Sequence, residues 1–152
     1  MIPFNPKFSQ TAVGYCLIIS LLGVIIFANH LNNPFQFDSV PYISNNAKLQ
    51  KPETLLTPEF LQKEFIHRGL LRISIALNVY LDGFKPFGFH LLSLAFHILN
   101  ALLLFFIFEK SFQRFRLSTL GWGNKKIRSI SFFAAVLFLC HPIQTESVIY
   151  IM

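Results

Sequence analysis

Charge is scarce in this sequence. Only 13% of its 152 residues are charged, where an ordinary soluble domain carries about 25%. Cysteine is scarce too: the two present, Cys16 and Cys140, lie in different apolar runs, too far apart for a disulfide and without metal-type spacing. There is no Ser/His/Asp set, no phosphate-binding glycine loop and no nucleotide fingerprint. Internal repeats and low-complexity tracts are also missing. These absences exclude a soluble enzyme of the familiar nucleophilic or nucleotide-binding kinds, a zinc module and a solenoid.

What fills the space is apolar. Hydrophobic residues make up 53% of the chain and 19 of its residues are phenylalanine. A soluble fold of this size cannot hide that surface in long unbroken runs, so the chain reads as an all-α, polytopic membrane protein. The net charge of +6 then reflects Lys and Arg beside membrane spans, not a nucleic-acid surface, because the basic residues are not interleaved with aromatics on one polar face.

About three transmembrane helices are expected, over residues 11–28, 87–108 and 127–141. The first is read as uncleaved: only Lys7 precedes it closely, and no small-x-small cleavage pattern follows. Its Gly14, Ser20 and Gly23 would let another helix approach closely. The third is short for a span. Residues 29–86 form a long loop. Residues 35–42 are expected to be extended or turned. Thr57-Pro58-Glu59 is an N-cap, a proline at the first helical position and an acidic first turn, which predicts a helix over 58–67. A second amphipathic helix, over 69–81, is too polar at its entry to span and is read as interfacial. Residues 109–128 hold Lys110, Arg114, Arg116, Lys125, Lys126 and Arg128 against one acid, Glu109, and 109–126 form a short basic loop. Such loops stay cytoplasmic. The N-terminus is therefore cytoplasmic and the 29–86 loop exterior. The expected setting is a bacterial inner membrane in preference to the endoplasmic reticulum.

That topology gathers polar groups on one membrane face. Asp38, the first charge after the first span, suits a general base, a ligand for a divalent cation, or a plain solvated loop acid. Glu146 follows a helix-breaking His141-Pro142, with Thr145 as a candidate cap for its helix. It suits orienting a hydroxyl, coordinating a metal, or simply answering the helix dipole. Arg68 and Arg72, four apart, suit a phosphate or diphosphate, or lipid headgroups. His90, Ser93, His97 and Asn100 fall within an arc of roughly 80° on the second span. This polar stripe should face protein, with His97 and Asn100 turned to the first or third span. The histidines suit hydrogen-bonded packing, site lining or a proton path, and Asn100 suits interhelical glue. His141 suits a cap, a bundle contact or a metal ligand. Which metal, if any, these groups would hold is open.

In order, these segments resemble a known family. Phe37-Asp38-Ser39 with Ile43-Ser44-Asn45-Asn46 looks like the first exterior loop of the GT-C membrane glycosyltransferases. Residues 68–78 are similar to their Y-R-P-L-x-x-x-S-F-A-L-N segment. Residues 85–91 and 96–101 resemble their N-P-x-x-F-H…L-H-x-x-N-A helix, and His141-Pro142-Ile143-Gln144-Thr145-Glu146-Ser147-Val148 resembles their H-P-x-x-T-E-x-V block. The nearest resemblance is to the transmembrane O-mannosyltransferases with C-terminal TPR repeats and their bacterial relatives. It implies a polyprenyl-phosphate-linked sugar donor, an exterior acceptor and inversion at the anomeric carbon. It implies that Asp38 and Glu146 are catalytic acids and that Arg68 or Arg72 lies near the donor phosphate, with a divalent cation used by some members. The family's paired acids are here Asp38-Ser39, and its Y-R-P is His67-Arg68-Gly69.

Such enzymes have many more spans, so the chain is expected to be an N-terminal portion, inactive by itself. It would be completed by the missing C-terminal part or another membrane subunit, with membrane lipid around it. The rival expectations are a non-catalytic multi-pass subunit of a larger membrane enzyme and a transporter component using the His90–His97–Asn100 stripe.

Overall fold

The computed structural model describes residues 10–36, 39–45, 49–51, 57–59, 62, 69–115 and 121–149. The described residues are helical, with no strand among them. In chain order, α1 is Gln10–Phe27, α2 Gly69–Asp82, α3 Pro86–Arg114, α4 Asn124–Cys140 and α5 Gln144–Ile149. A 3-10 turn, Ala28–His30, follows α1, and a single π-helical turn covers Val40–Ser44. This is an all-α membrane protein. Ala12–His30 (19 residues) and Pro86–Arg114 (29 residues) are long and apolar enough to cross a membrane. At 29 residues, α3 is about 44 Å long against a hydrocarbon core of about 30 Å, so at least one of its ends reaches beyond that core. The helix expected as a third span, α4, has 17 residues, about 26 Å, and its first turn is polar.

The chain divides into two compact units. One comprises α1, the part of α3 from Leu94 onward, and α4. Its buried seams repeat every fourth residue, as ridge packing requires: Ile19, Gly23 and Phe27 on α1, Ala101, Phe105 and Glu109 on α3, and Ile127, Ser131, Ala135 and Leu139 on α4. Ile19, Ala101, Phe105, Ala135 and Leu139 form the core. Polar groups inside it are satisfied. The Tyr15 and Ser129 hydroxyls are 3.1 Å apart, joining α1 to α4. The Ser131 hydroxyl donates back to its own helix, to the Ile127 carbonyl at 3.0 Å.

Of the three small residues of α1, Gly23 is the close-approach point. A Cβ there would stand 2.7 Å from Ile98 Cγ1. Gly14 faces open space. We therefore expect Gly23→Ala to destabilise this unit by about 1–3 kcal/mol, the usual overpacking cost, with Gly14→Ala neutral. Thermal unfolding of the two variants in detergent micelles checks this, and equal midpoints would remove Gly23 as the packing notch.

The second unit comprises residues 29–93 and 145–152. Ile43, Leu49, Ala76, Val79 and Phe89 form its core, with Phe35 and Ile75 packed against them. The expected interfacial helix is α2. Leu77, Tyr80 and Leu81 are exposed along it while Ala76 and Val79 are buried, so both its faces carry apolar side chains. Gly83, at φ +67°, ends α2 in the left-handed conformation that a side chain resists, and its N–H reaches the Val79 carbonyl at 2.9 Å. At Gly88, a Cβ would meet Asn78 Oδ1 at 2.6 Å, so glycine permits α3 to start hard against α2.

Two local expectations fall partly on described residues. Residues 40–44 wind into a turn, with Asn45 N–H donating to the Val40 carbonyl at 2.9 Å. The segment expected to be extended or turned is thus turned in its second half, where Pro41 fits the first turn of a helical segment. The helix expected over 58–67 is helical at Pro58, Glu59 and Gln62; its other residues lie outside the described ones.

Candidate functional site

Asp38 and Arg68 lie outside the described residues. Their flanks are defined. Ser39 is buried, and its N–H donates to the Gln36 carbonyl at 3.1 Å. Arg72 is half-buried on the first turn of α2. The second unit thus contains Arg72, His90, Thr145 and Glu146, drawn from segments about 70 residues apart in sequence.

The turn into α5 explains the His-Pro pair. The backbone of His141 ends α4, its N–H reaching the Phe138 carbonyl at 3.4 Å. Its Nδ1 accepts from the Ile143 N–H at 3.2 Å, and its carbonyl accepts from the Gln144 N–H at 2.9 Å. An imidazole nitrogen that accepts is unprotonated, so His141 serves as a turn cap. Thr145, expected to cap the next helix, lies one residue inside it: α5 already begins at Gln144. The Thr145 side chain is exposed. Glu146 is exposed in the first turn of α5, where the helix dipole favours a carboxylate.

The polar stripe splits. His90 and His97 are buried. His97 Nε2 donates to the Leu139 carbonyl on α4 at 3.1 Å, and the ring packs edge-on to Phe27 of α1. Asn100 is exposed, so it does not share the inward setting expected for it. At 100° per residue it stands about 60° around α3 from His97, off the seam that continues through Ala101 and Phe105.

Sequence reasoning missed a buried ion pair. Arg128 Nε on α4 donates to Glu109 Oε1 on α3 at 2.7 Å, and Gln113 Nε2 stands 3.5 Å from the same oxygen. The available signal was Glu109 itself, the one acid of a basic stretch, on the same helix face as Ala101 and Phe105. Among the described residues no group of three or more His, Cys, Asp or Glu is placed to hold a metal ion.

No family model matches the chain, and no solved structure matches it. Curated proteins do. It is 26% identical over 156 residues to protein O-mannosyl-transferase TMTC1 of Mus musculus, covering 95% of this chain and 15% of that protein. It is 28% identical over 145 residues to protein O-mannosyl-transferase TMTC4 of Homo sapiens, covering 87% and 19%. With the human protein O-mannosyl-transferase TMTC3 it shares 32% identity over 143 residues, 86% of this chain and 14% of that one. The chain thus spans under a fifth of the length of these relatives. Across nearly all of its own length, it is a GT-C-like relative of the protein O-mannosyl-transferases.

Proposed function

We propose that this chain contributes to a membrane glycosyltransferase that moves a sugar, mannose by likeness to its relatives, from a polyprenyl-phosphate donor to an exterior acceptor. The observation that carries this reading is the similarity to protein O-mannosyl-transferases over 86–95% of the chain. The grouping of Arg72, His90 and Glu146 in one unit supports it. In the reaction, the acceptor hydroxyl attacks the anomeric carbon as the bond to the phosphate breaks, with inversion. Positive charge builds on the sugar, a proton leaves the acceptor, and a phosphate departs. Asp38 takes the proton, Glu146 orients the acceptor hydroxyl, and Arg68 and Arg72 hold the phosphate. Thr145 lines the approach beside Glu146.

The N-terminus and residues 109–126 are cytoplasmic and 29–86 exterior, by the bias of Lys and Arg in short loops. The three spans 11–28, 87–108 and 127–141 belong to one membrane domain. In a bacterial inner membrane or the endoplasmic reticulum alike, the site then opens away from the cytoplasm. Three helices cannot wall a dry pocket for both substrates, so the 152 residues bind donor without turning it over by themselves.

The test is photolabelling of the chain in nanodiscs with a photoactivatable polyprenyl-phosphate mannose. Labelling should be competed by unlabelled polyprenyl-phosphate mannose and not by polyprenol. It should fall about tenfold in Arg72→Ala, the scale of a charge-assisted hydrogen bond. Labelling that no competitor reduces would mark plain lipid contact and favour a non-catalytic membrane subunit. Turnover abolished by Asp38→Ala would instead make the short chain a complete enzyme. In proteoliposomes, an impermeant maleimide should reach a cysteine placed at position 45 and spare one at 119; the reverse would put Asp38 and Glu146 in the cytoplasm.

A further inference from the structure

His90 lies in the first turns of α3 and is only 3% exposed. Its Nε2 stands 3.1 Å from the backbone carbonyl oxygen of Asn33. A carbonyl only accepts, so Nε2 carries the proton and donates it. Asn33 is held from its other side as well. Its N–H donates to the His30 carbonyl at 3.1 Å, and its side-chain Nδ2 is 3.2 Å from His30 Nδ1. One residue before His90, Phe89 meets Phe35 edge-on with ring centroids 5.4 Å apart. The start of α3 therefore grips the segment after α1 at two points, residues 33 and 35. Downstream, Ser39 is buried, with its N–H on the Gln36 carbonyl.

The other ring nitrogen faces a different element. His90 Nδ1 is buried and makes no hydrogen bond among the described residues, while the Val148 backbone of α5 lies close to the ring. Val148 is itself buried, two residues from Glu146. One imidazole thus sits between the segment that runs on to Asp38 and the short helix that bears Glu146.

We infer that His90 is a positioning residue: through the Nε2–H it donates to Asn33, it fixes residues 33–36, the stretch that leads in sequence to Asp38, against the start of α3. Its importance to transfer rests on the function proposed above; the clamp does not. The carbonyl of Asn33 lies outside regular helix on a half-buried residue, where a carbonyl without a donor is costly. A ring that both fills space and donates answers both needs. An aliphatic side chain answers only the first.

The experiment uses the full 152-residue chain in nanodiscs with Cys16→Ala, Cys140→Ser and Ser39→Cys. The cysteine at this buried position should react slowly with a water-soluble maleimide. His90→Ala should speed it at least about tenfold, by favouring local opening. His90→Gln, whose amide donates from nearly the same place, should return it to close to the parent rate. Equal rates in parent and His90→Ala overturn the inference, as does a glutamine variant as reactive as alanine. Should His90→Ala fail to fold, 15N-imidazole NMR of the parent decides: a protonated Nε2 is required, and an unprotonated one refutes the clamp. Loss of donor photolabelling with the clamp intact would remove the transferase reading alone.

Discussion

Glu109→Ala should cost the α1–α3–α4 unit about 3–5 kcal/mol, the range for breaking a buried ion pair from one side. The Glu109 side chain is 5% exposed and that of Arg128 18%, so the carboxylate is shut away from water and the guanidinium reaches it only in part. Their 2.7 Å contact joins α3 to α4 at the end of the buried seam. With the carboxylate gone, the guanidinium loses its charged partner in surroundings that solvate it poorly. Glu109→Gln keeps an oxygen that can accept and should cost roughly half as much. Replacing both residues, as in Glu109→Met with Arg128→Leu, removes the desolvated charges together and should recover most of the loss. SDS-induced unfolding of the reconstituted chain measures all four proteins. A double variant as unstable as Glu109→Ala would show that a guanidinium left without its carboxylate is not the source of the loss.

That pair also marks where the sequence stops being informative. Helix positions were legible because each long apolar run is bounded by polar or breaking residues. Expected spans at 11–28, 87–108 and 127–141 correspond to helices at Gln10–Phe27, Pro86–Arg114 and Asn124–Cys140. The amphipathic 69–81 helix emerged as Gly69–Asp82 for the same reason. Pairing between helices was not legible. Nothing in the spacing of Glu109 and Arg128 distinguishes an ion pair from two solvated loop charges, and nothing in Asn33 announces that its carbonyl will need a donor. The polar stripe failed at its edge. An arc of roughly 80° is wide enough to straddle a helix seam, and a periodicity argument cannot say which margin falls outside. Thr145 stands one residue inside α5 because the turn in which the His141 carbonyl accepts from the Gln144 N–H starts the helix at Gln144. For the site, the H-P-x-x-T-E-x-V and Y-R-P-L resemblances are what proposed Glu146 and Arg72, and their roles in transfer rest on the proposed chemistry.

His97→Ala is the second large loss we expect, at about 3 kcal/mol in the same unit. Leu139 is the penultimate residue of α4, so its carbonyl is one of the last four that the helix cannot pair by itself. In water such a group is solvated. Here the Leu139 side chain is fully buried and His97 is 4% exposed, and the imidazole supplies the donor that water would. Its ring also fills the space between Phe27 and Phe138, with centroids 5.4 and 5.3 Å away. Alanine removes both services, leaving an unpaired carbonyl at about 1–3 kcal/mol and a cavity beside it. The two parts separate by choice of replacement. His97→Phe keeps the volume without the donor and should lose about 1–3 kcal/mol, while His97→Gln keeps a donor of similar reach and should lose about 1 kcal/mol. The expected order of stability is therefore His, Gln, Phe, Ala, read from the same SDS unfolding midpoints. A glutamine variant less stable than the phenylalanine one would mean that packing, not the bond to Leu139, explains a histidine at this depth.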